Sequence, residues 1–360
     1  MGKYFAHFDW ITGLLLLCLG LLGLFLLLTL STGIFYQQLF YIFLGFLLLL
    51  FFSNIEPLLL WWFAPIGYVL GNILLALSYL GPNIRGATRW IMIGGAQLQP
   101  SELAKPIFLL SFSYFMAKYS PRRLKYLSLH FVLFLIPFLL VFKQPDLGSS
   151  LVYASFWIGM MVAGGLPLSV IGLAMASGIF VLPYAWTHLL PYQKSRIETF
   201  INPALDPQGT GYNAIQAMIA VGSGQLFGRG LGLGTQSHLR FLPEHHTDFI
   251  FATLVEELGF AGGFLMFVLY AALLYRIIRP FITGKYHDMK VFAYSFGLFA
   301  FMFGQIFINT GMNIGLIPVT GITLPFISYG GSSILSLSIA FGILWALQRS
   351  KQSDATIAIQ

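Results

Sequence analysis

Glu244, His245, His246 and Asp248 crowd the mouth of an apolar run in Phe241–Phe260, FLPEHHTDFIFATLVEELGF, which also carries Glu256 and Glu257. Only 9% of the chain is charged, so this concentration stands far above background. A carboxylate where a membrane helix begins is costly to desolvate and is a functional candidate for that reason. Asp248 fits a general base working at a membrane–water boundary. It equally fits an acid that complements the dipole of a helix starting there, with Thr247 as N-cap, and one residue can serve both ends. Glu244, His245 and His246 could join Asp248 around a divalent cation, Mg or Mn by the hardness of the donors, or form an ordinary polar loop.

Further charges are spaced for chemistry. Glu102 and Lys105 in QPSELAKP lie three apart, on one helix face, where they can pair or line a cavity. Asp146, in KQPDLGSS beside Lys143, sits at the end of another apolar run. Together with Asp248 these residues could line one outward cavity, with acids to activate an acceptor and cations to hold a diphosphate. Arg196, Arg229 and Arg240 are additional cation candidates in a long polar stretch. Trp90 suits either a membrane-interface anchor or a platform for a sugar ring. Glu256 and Glu257 are adjacent on a helix and about 100° apart, so at most one can point squarely into a cavity.

The elements that must position these groups are membrane helices. Of 360 residues, 58% are hydrophobic and the mean hydropathy is +0.82, far above soluble proteins. The expected fold is an all-α integral membrane bundle of ten transmembrane helices, because only helices or closed barrels satisfy the backbone in lipid and barrel alternation is absent. The spans fall at about 11–30, 38–53, 57–79, 101–118, 127–142, 149–164, 167–187, 249–278, 291–314 and 332–348. The chain is expected to be one membrane domain, 1–360. A large extracytoplasmic loop, 188–247, divides spans seven and eight. Within it, Tyr212–Val221 is too short to span and suits a re-entrant or interfacial helix. The single cysteine, Cys18, excludes a disulfide framework.

Placing both termini in the cytoplasm puts eleven of the nineteen Lys and Arg inside, against four of the twelve acids. The net charge of +7 then reads as anchoring to anionic membrane lipids, with no nucleic acid as partner. No GxxxxGK[ST] loop and no GxGxxG after a strand occur, so no nucleotide is expected, and an outward-facing enzyme must draw its driving force from an already activated substrate.

RGATRWIMIGG, QPSELAK, KQPDLGSSL, GTGYNAIQAMIAVGSGQLFGRGLG, LPEHHTDFIFATLVEELG and ITLPFISYGGSS follow one another from about residue 81 to 333. Together they resemble the shape, elongation, division and sporulation (SEDS) family, nearest its elongation branch. The resemblance implies a ten-helix peptidoglycan glycosyltransferase that polymerises lipid II outside the cytoplasmic (inner) membrane of a bacterium. It assigns the essential acid to Asp248 and functional roles to Trp90, Glu102, Lys105 and Asp146, and it implies a class B penicillin-binding protein as partner. A flippase for the lipid-linked precursor and a non-catalytic scaffold are the rival readings.

Overall fold

The computed structural model describes residues 9–357 except 83–87, 94–95, 190, 204–205, 208, 210 and 285–287. Ten of its helices overlap the ten expected spans. They are α1 (Trp10–Leu30), α2 (Thr32–Ser53), α3 (Pro57–Leu77), α4 (Pro100–Lys118), α5 (Leu124–Phe142), α6 (Leu147–Ala163), α7 (Leu168–His188), α11 (Ile250–Ile282), α12 (Met289–Asn313) and α13 (Gly331–Ile357). Among the described residues, seven of these are long and apolar enough to cross a membrane on their own. The others are α4, α6 and α7. The 188–247 segment holds three shorter helices, α8 (Pro191–Ile201), α9 (Tyr212–Ser223) and α10 (Thr235–His238). A two-stranded hairpin, β1 (Ile91–Ile93) with β2 (Ala96–Leu98), precedes α4.

Helix α4 carries too much polarity to face lipid, and the bundle buries it. It packs on α3, α6, α12 and α13, enclosing Ser101, Glu102, Lys105, Ser111 and Ser113. Backbones elsewhere approach closely through small residues: a Cβ added to Gly342 of α13 would lie 2.7 Å from the Leu49 carbonyl of α2. The described side chains of α7 are mostly exposed. At one end of the bundle, Arg276 near the end of α11 bonds Asp9 before α1 at 2.6 Å. Arg349 of α13 reaches the Asn54 carbonyl after α2.

Helix α11 is broken near its start. Gly259 has φ +70 and ψ −169, a conformation open essentially to glycine alone. The stretch 225–230 fills the break. Arg229 and Gly230 donate backbone N–H to the Glu256 and Glu257 carbonyls at 2.9 and 3.1 Å, while Phe260 and Ala261 donate to the Gln225 and Leu226 carbonyls at 2.8 and 3.0 Å. Backbone released by the break is thereby paired again, which a membrane interior requires.

The two adjacent carboxylates finish the joint. Glu256 accepts from the Gln236 and Ser237 N–H groups and the Ser237 hydroxyl at 2.7, 3.1 and 3.0 Å. Glu257 accepts from His238 Nε2 at 2.8 Å and from Gly232 N–H at 3.3 Å. Both are fully buried and both face the 232–238 loop. A Cβ at residue 259 would sit 2.3 Å from the Gly228 nitrogen. Gly259→Ala should therefore destabilise the protein by about 2 kcal/mol or more. Thermal unfolding in detergent measures this, and an unchanged midpoint would reject the account of the joint.

Candidate functional site

Three segments meet at the end of the bundle opposite Arg276 and Arg349. The first is the hairpin and the start of α4, the second the turn before α11, and the third the extended stretch between α12 and α13. They enclose, with the start of α2, a cavity of about 870 Å³. Its walls include Arg89, Trp90, Glu102, Glu244, His246 and Asp248, so one cavity gathers candidates lying more than 150 positions apart in sequence.

Asp248 is half-buried and lines this cavity. It precedes the helix rather than opening it: α11 starts at Ile250 with Phe249 as N-cap, and Thr247 does not cap. The turn is made instead by Glu244, at φ +53, whose carbonyl accepts from the Thr247 and Phe249 N–H groups at 3.1 and 3.2 Å. The Asp248 peptide is then pinned from α12. Asn309 Nδ2 donates to its carbonyl at 2.9 Å and to the Ile322 carbonyl at 2.6 Å, tying two walls together. Asn313 adds a second donor to the Asp248 carbonyl at 3.1 Å.

The third wall is held as firmly. Ser328 donates its hydroxyl to the Thr247 carbonyl at 2.6 Å, and Tyr329 donates N–H to the His246 carbonyl at 2.9 Å. Gln38 of α2 donates to the Ser328 carbonyl at 2.9 Å, and the Tyr329 hydroxyl bonds Gln37 at 2.5 Å.

Glu102 lines the cavity, whereas Lys105 lies fully buried behind it, 2.5 Å from Glu102 Oε1 and 5.1 Å from the Phe301 ring centre. Lys105 is thus a counter-ion to Glu102 and does not stand on the cavity wall. Asp146 is also off the wall. It is buried, caps α6 through Ser149 N–H at 3.0 Å, and accepts from Gln99 Nε2 at 2.8 Å. Arg89 Nη1 stands 3.8 Å from it, so Asp146 orients two side chains that do line the cavity. The geometry corrects the expectation that Asp146 and Lys105 line the cavity themselves: a carboxylate that caps a buried helix end and an ammonium paired on a central helix have both turned inward.

Arg240 is exposed at φ +60 and outside the cavity lining. Arg196 lies in α8, and its side chain falls outside the described ones. Arg229 is exposed and bonds Thr235 at 3.1 Å. His245 turns Nδ1 to the Leu242 carbonyl at 2.9 Å, and burial pulls its imidazole below the ordinary value, outweighing that bond. Among the described residues no three His, Cys, Asp or Glu side chains gather closely enough to hold a metal ion.

Sequence reasoning overlooked Gln37, Gln38, Asn309, Asn313 and Ser333. For the four amides the available signal was the one used for the acids: polar groups inside apolar helices are expensive and need a reason.

The chain matches the cell cycle protein family of FtsW, RodA and SpoVE over residues 6–353, and it belongs to that family. It is 38% identical over 311 residues to the peptidoglycan glycosyltransferase MrdB of Escherichia coli, covering 86% of this chain and 84% of that relative. A probable peptidoglycan glycosyltransferase FtsW of Nitrosomonas europaea is 40% identical over 301 residues, 79% of this chain and 75% of the relative. Among solved structures, the rod shape determining protein RodA of Thermus thermophilus superimposes with a TM-score of 0.72 at 27% identity, covering 96% of this chain and 97% of that one. A chain from a peptidoglycan synthase complex, studied for its coordination of polymerization and crosslinking, gives a TM-score of 0.81 at 28% identity, with 96% and 98% covered. Like these proteins, this chain is a multi-pass membrane protein.

Breaking the inner ion pair should be costly and removing it whole should not. Lys105→Met is expected to destabilise by about 3–5 kcal/mol by stranding Glu102, and Glu102→Gln with Lys105→Met to recover most of that loss. Thermal unfolding of the two variants checks this; equal midpoints would show that the pair is not electrostatically coupled.

Proposed function

We infer that this chain is a peptidoglycan glycosyltransferase that polymerises lipid II, and that Asp248 is its general base. The activity is carried by membership of a family whose curated relatives bear that name. The assignment to Asp248 is supported by one observation above the others: its carboxylate lines the large cavity together with Arg89 and Trp90, while its own peptide is fixed from α12.

In this reading the acceptor's 4-hydroxyl gives its proton to Asp248 as its oxygen attacks the anomeric carbon of the donor sugar. The bond from that carbon to the diphosphate breaks, and its electron pair leaves with the lipid diphosphate. Attack opposite an α-linked leaving group yields a β-1,4 linkage by inversion. Diphosphate is already a good leaving group, so no strong acid is needed, only charge or donors to receive it. Trp90 offers a face for a sugar ring.

We place the cavity on the extracytoplasmic side of the inner membrane with both termini inside, because the bases concentrate toward the other end of the bundle. The proposed setting is cell elongation and shape maintenance beside a class B penicillin-binding protein, which should co-purify with the chain; the likeness to a synthase-complex subunit supports this. A divalent cation is proposed as a companion of the substrate's diphosphate, since the described side chains form no cage for one.

Asp248→Asn should keep the fold and lower glycan synthesis from purified lipid II by about 10²–10⁴-fold, the usual worth of a general base. Retained polymerisation would remove Asp248 from the role, and lipid translocation without product would favour a flippase. The same assay with a chelator decides the cation: unchanged rates exclude it.

A further inference from the structure

We propose that the N-terminus of α13, together with the Ser333 hydroxyl and the Arg89 guanidinium, is the seat of the donor's diphosphate. The proposal rests on the reading of the cavity as the lipid II site and names the part of it that grips the anion. The sequence pointed instead to Lys105, Arg196 and Arg240 for that task. Lys105 is buried behind Glu102, and Arg240 lies outside the lining.

The first N–H groups of a helix have no partner within it, and they carry the positive end of its dipole. Here Gly330, Gly331, Ser332 and Ser333, from the stretch SYGGSS, all line the cavity. Gly330 donates to Gln38 Oε1 at 3.3 Å, and Ile334 donates to the Gly330 carbonyl at 3.1 Å. Between them, the N–H groups of Gly331, Ser332 and Ser333 have no acceptor among the described residues. Two successive glycines keep side chains away from this backbone, and a Cβ on Gly331 would strike the Tyr41 ring at 2.6 Å. Consecutive free N–H groups at a helix start form a ready site for a phosphate.

Two side chains point to a ligand independently of the helix end. Ser333 is only 6% exposed, lines the cavity, and its Oγ has no hydrogen-bond partner among the described residues. A buried hydroxyl left unpaired beside a cavity is accounted for by a group that fills the cavity. Arg89 lines the same cavity with a buried Nε that also has no partner, its Nη1 being steadied by Asp146 at 3.8 Å. The nearby Glu102 does not oppose an anion at full strength, because Lys105 sits 2.5 Å from it. Among the described residues the walls carry three acids and a single guanidinium, a poor seat for a diphosphate by side-chain cations alone, which leaves backbone N–H groups to supply the donors.

Purified full-length protein in detergent provides the test. Binding of undecaprenyl diphosphate, undecaprenyl monophosphate and phosphatidylglycerol is measured for the wild type, Ser333→Ala, Arg89→Gln and Asp248→Asn. The wild type should prefer the diphosphate. Ser333→Ala and Arg89→Gln should each bind it about tenfold more weakly, the worth of a hydrogen bond to a charged group. Asp248→Asn, which removes a negative charge from the same cavity, should not weaken binding. Ser333→Ala removes one oxygen and leaves the helix intact, so loss of fold does not obscure its result. Wild-type affinity in both Ser333→Ala and Arg89→Gln would overturn the assignment, as would phosphatidylglycerol competing as well as the diphosphate. If the wild type makes no glycan yet Ser333→Ala still weakens diphosphate binding, the reaction reading fails and the seat stands. If the wild type polymerises and Ser333→Ala binds the diphosphate undiminished, the seat fails and the reaction stands.

Discussion

A membrane interior offers backbone and side-chain polar groups no water, so each must find its partner inside the protein. That requirement organises the whole active end of this bundle. The break at Gly259 is tolerated because the 225–230 stretch donates to, and accepts from, the very groups the break releases. Glu256 and Glu257 can be buried because the following loop wraps N–H and hydroxyl donors around them. Irregular structure is therefore admitted only where it is fully paired.

The same rule explains how the turn that carries Asp248 is held. Asp248 lies in a short turn outside any helix, the least rigid kind of element. Asn309 and Asn313 remove that freedom by holding its carbonyl, and Asn309 simultaneously holds the adjacent Ile322 carbonyl. Ser328 and Tyr329 attach the preceding residues of the turn to the start of α13. Three chain segments far apart in sequence thus move as one wall, which is what a reaction with a narrow geometric requirement needs.

Charge in the site is arranged in layers. Glu102 lines the cavity with Lys105 paired behind it, and Asp146 lies further in, matched by Gln99, Ser149 and Arg89. A glycosyl transfer from a lipid diphosphate asks little acid catalysis of the protein, and a cavity whose described walls carry carboxylates, the Arg89 guanidinium and a helix start is furnished with the kinds of group it needs.

Much of this was legible in the chain itself. The apolar runs located the helices, because spanning length and hydropathy are local properties, and the charge clusters marked 241–257, 102–105 and 146 because carboxylates in apolar runs need a reason to be there. Asp248 stood out on those grounds alone. Its environment did not: whether it opened a helix depended on a turn set by Glu244 at positive φ and closed by residues some 60–80 positions away. Nor could spacing tell that both Glu256 and Glu257 would meet one loop, since that depended on residues 232–238 folding back to supply donors to each. Whether Lys105 and Asp146 faced the cavity or lay behind it was decided only by packing around α4 and α6. Helical periodicity says which residues share a face, and only the tertiary arrangement says what that face meets.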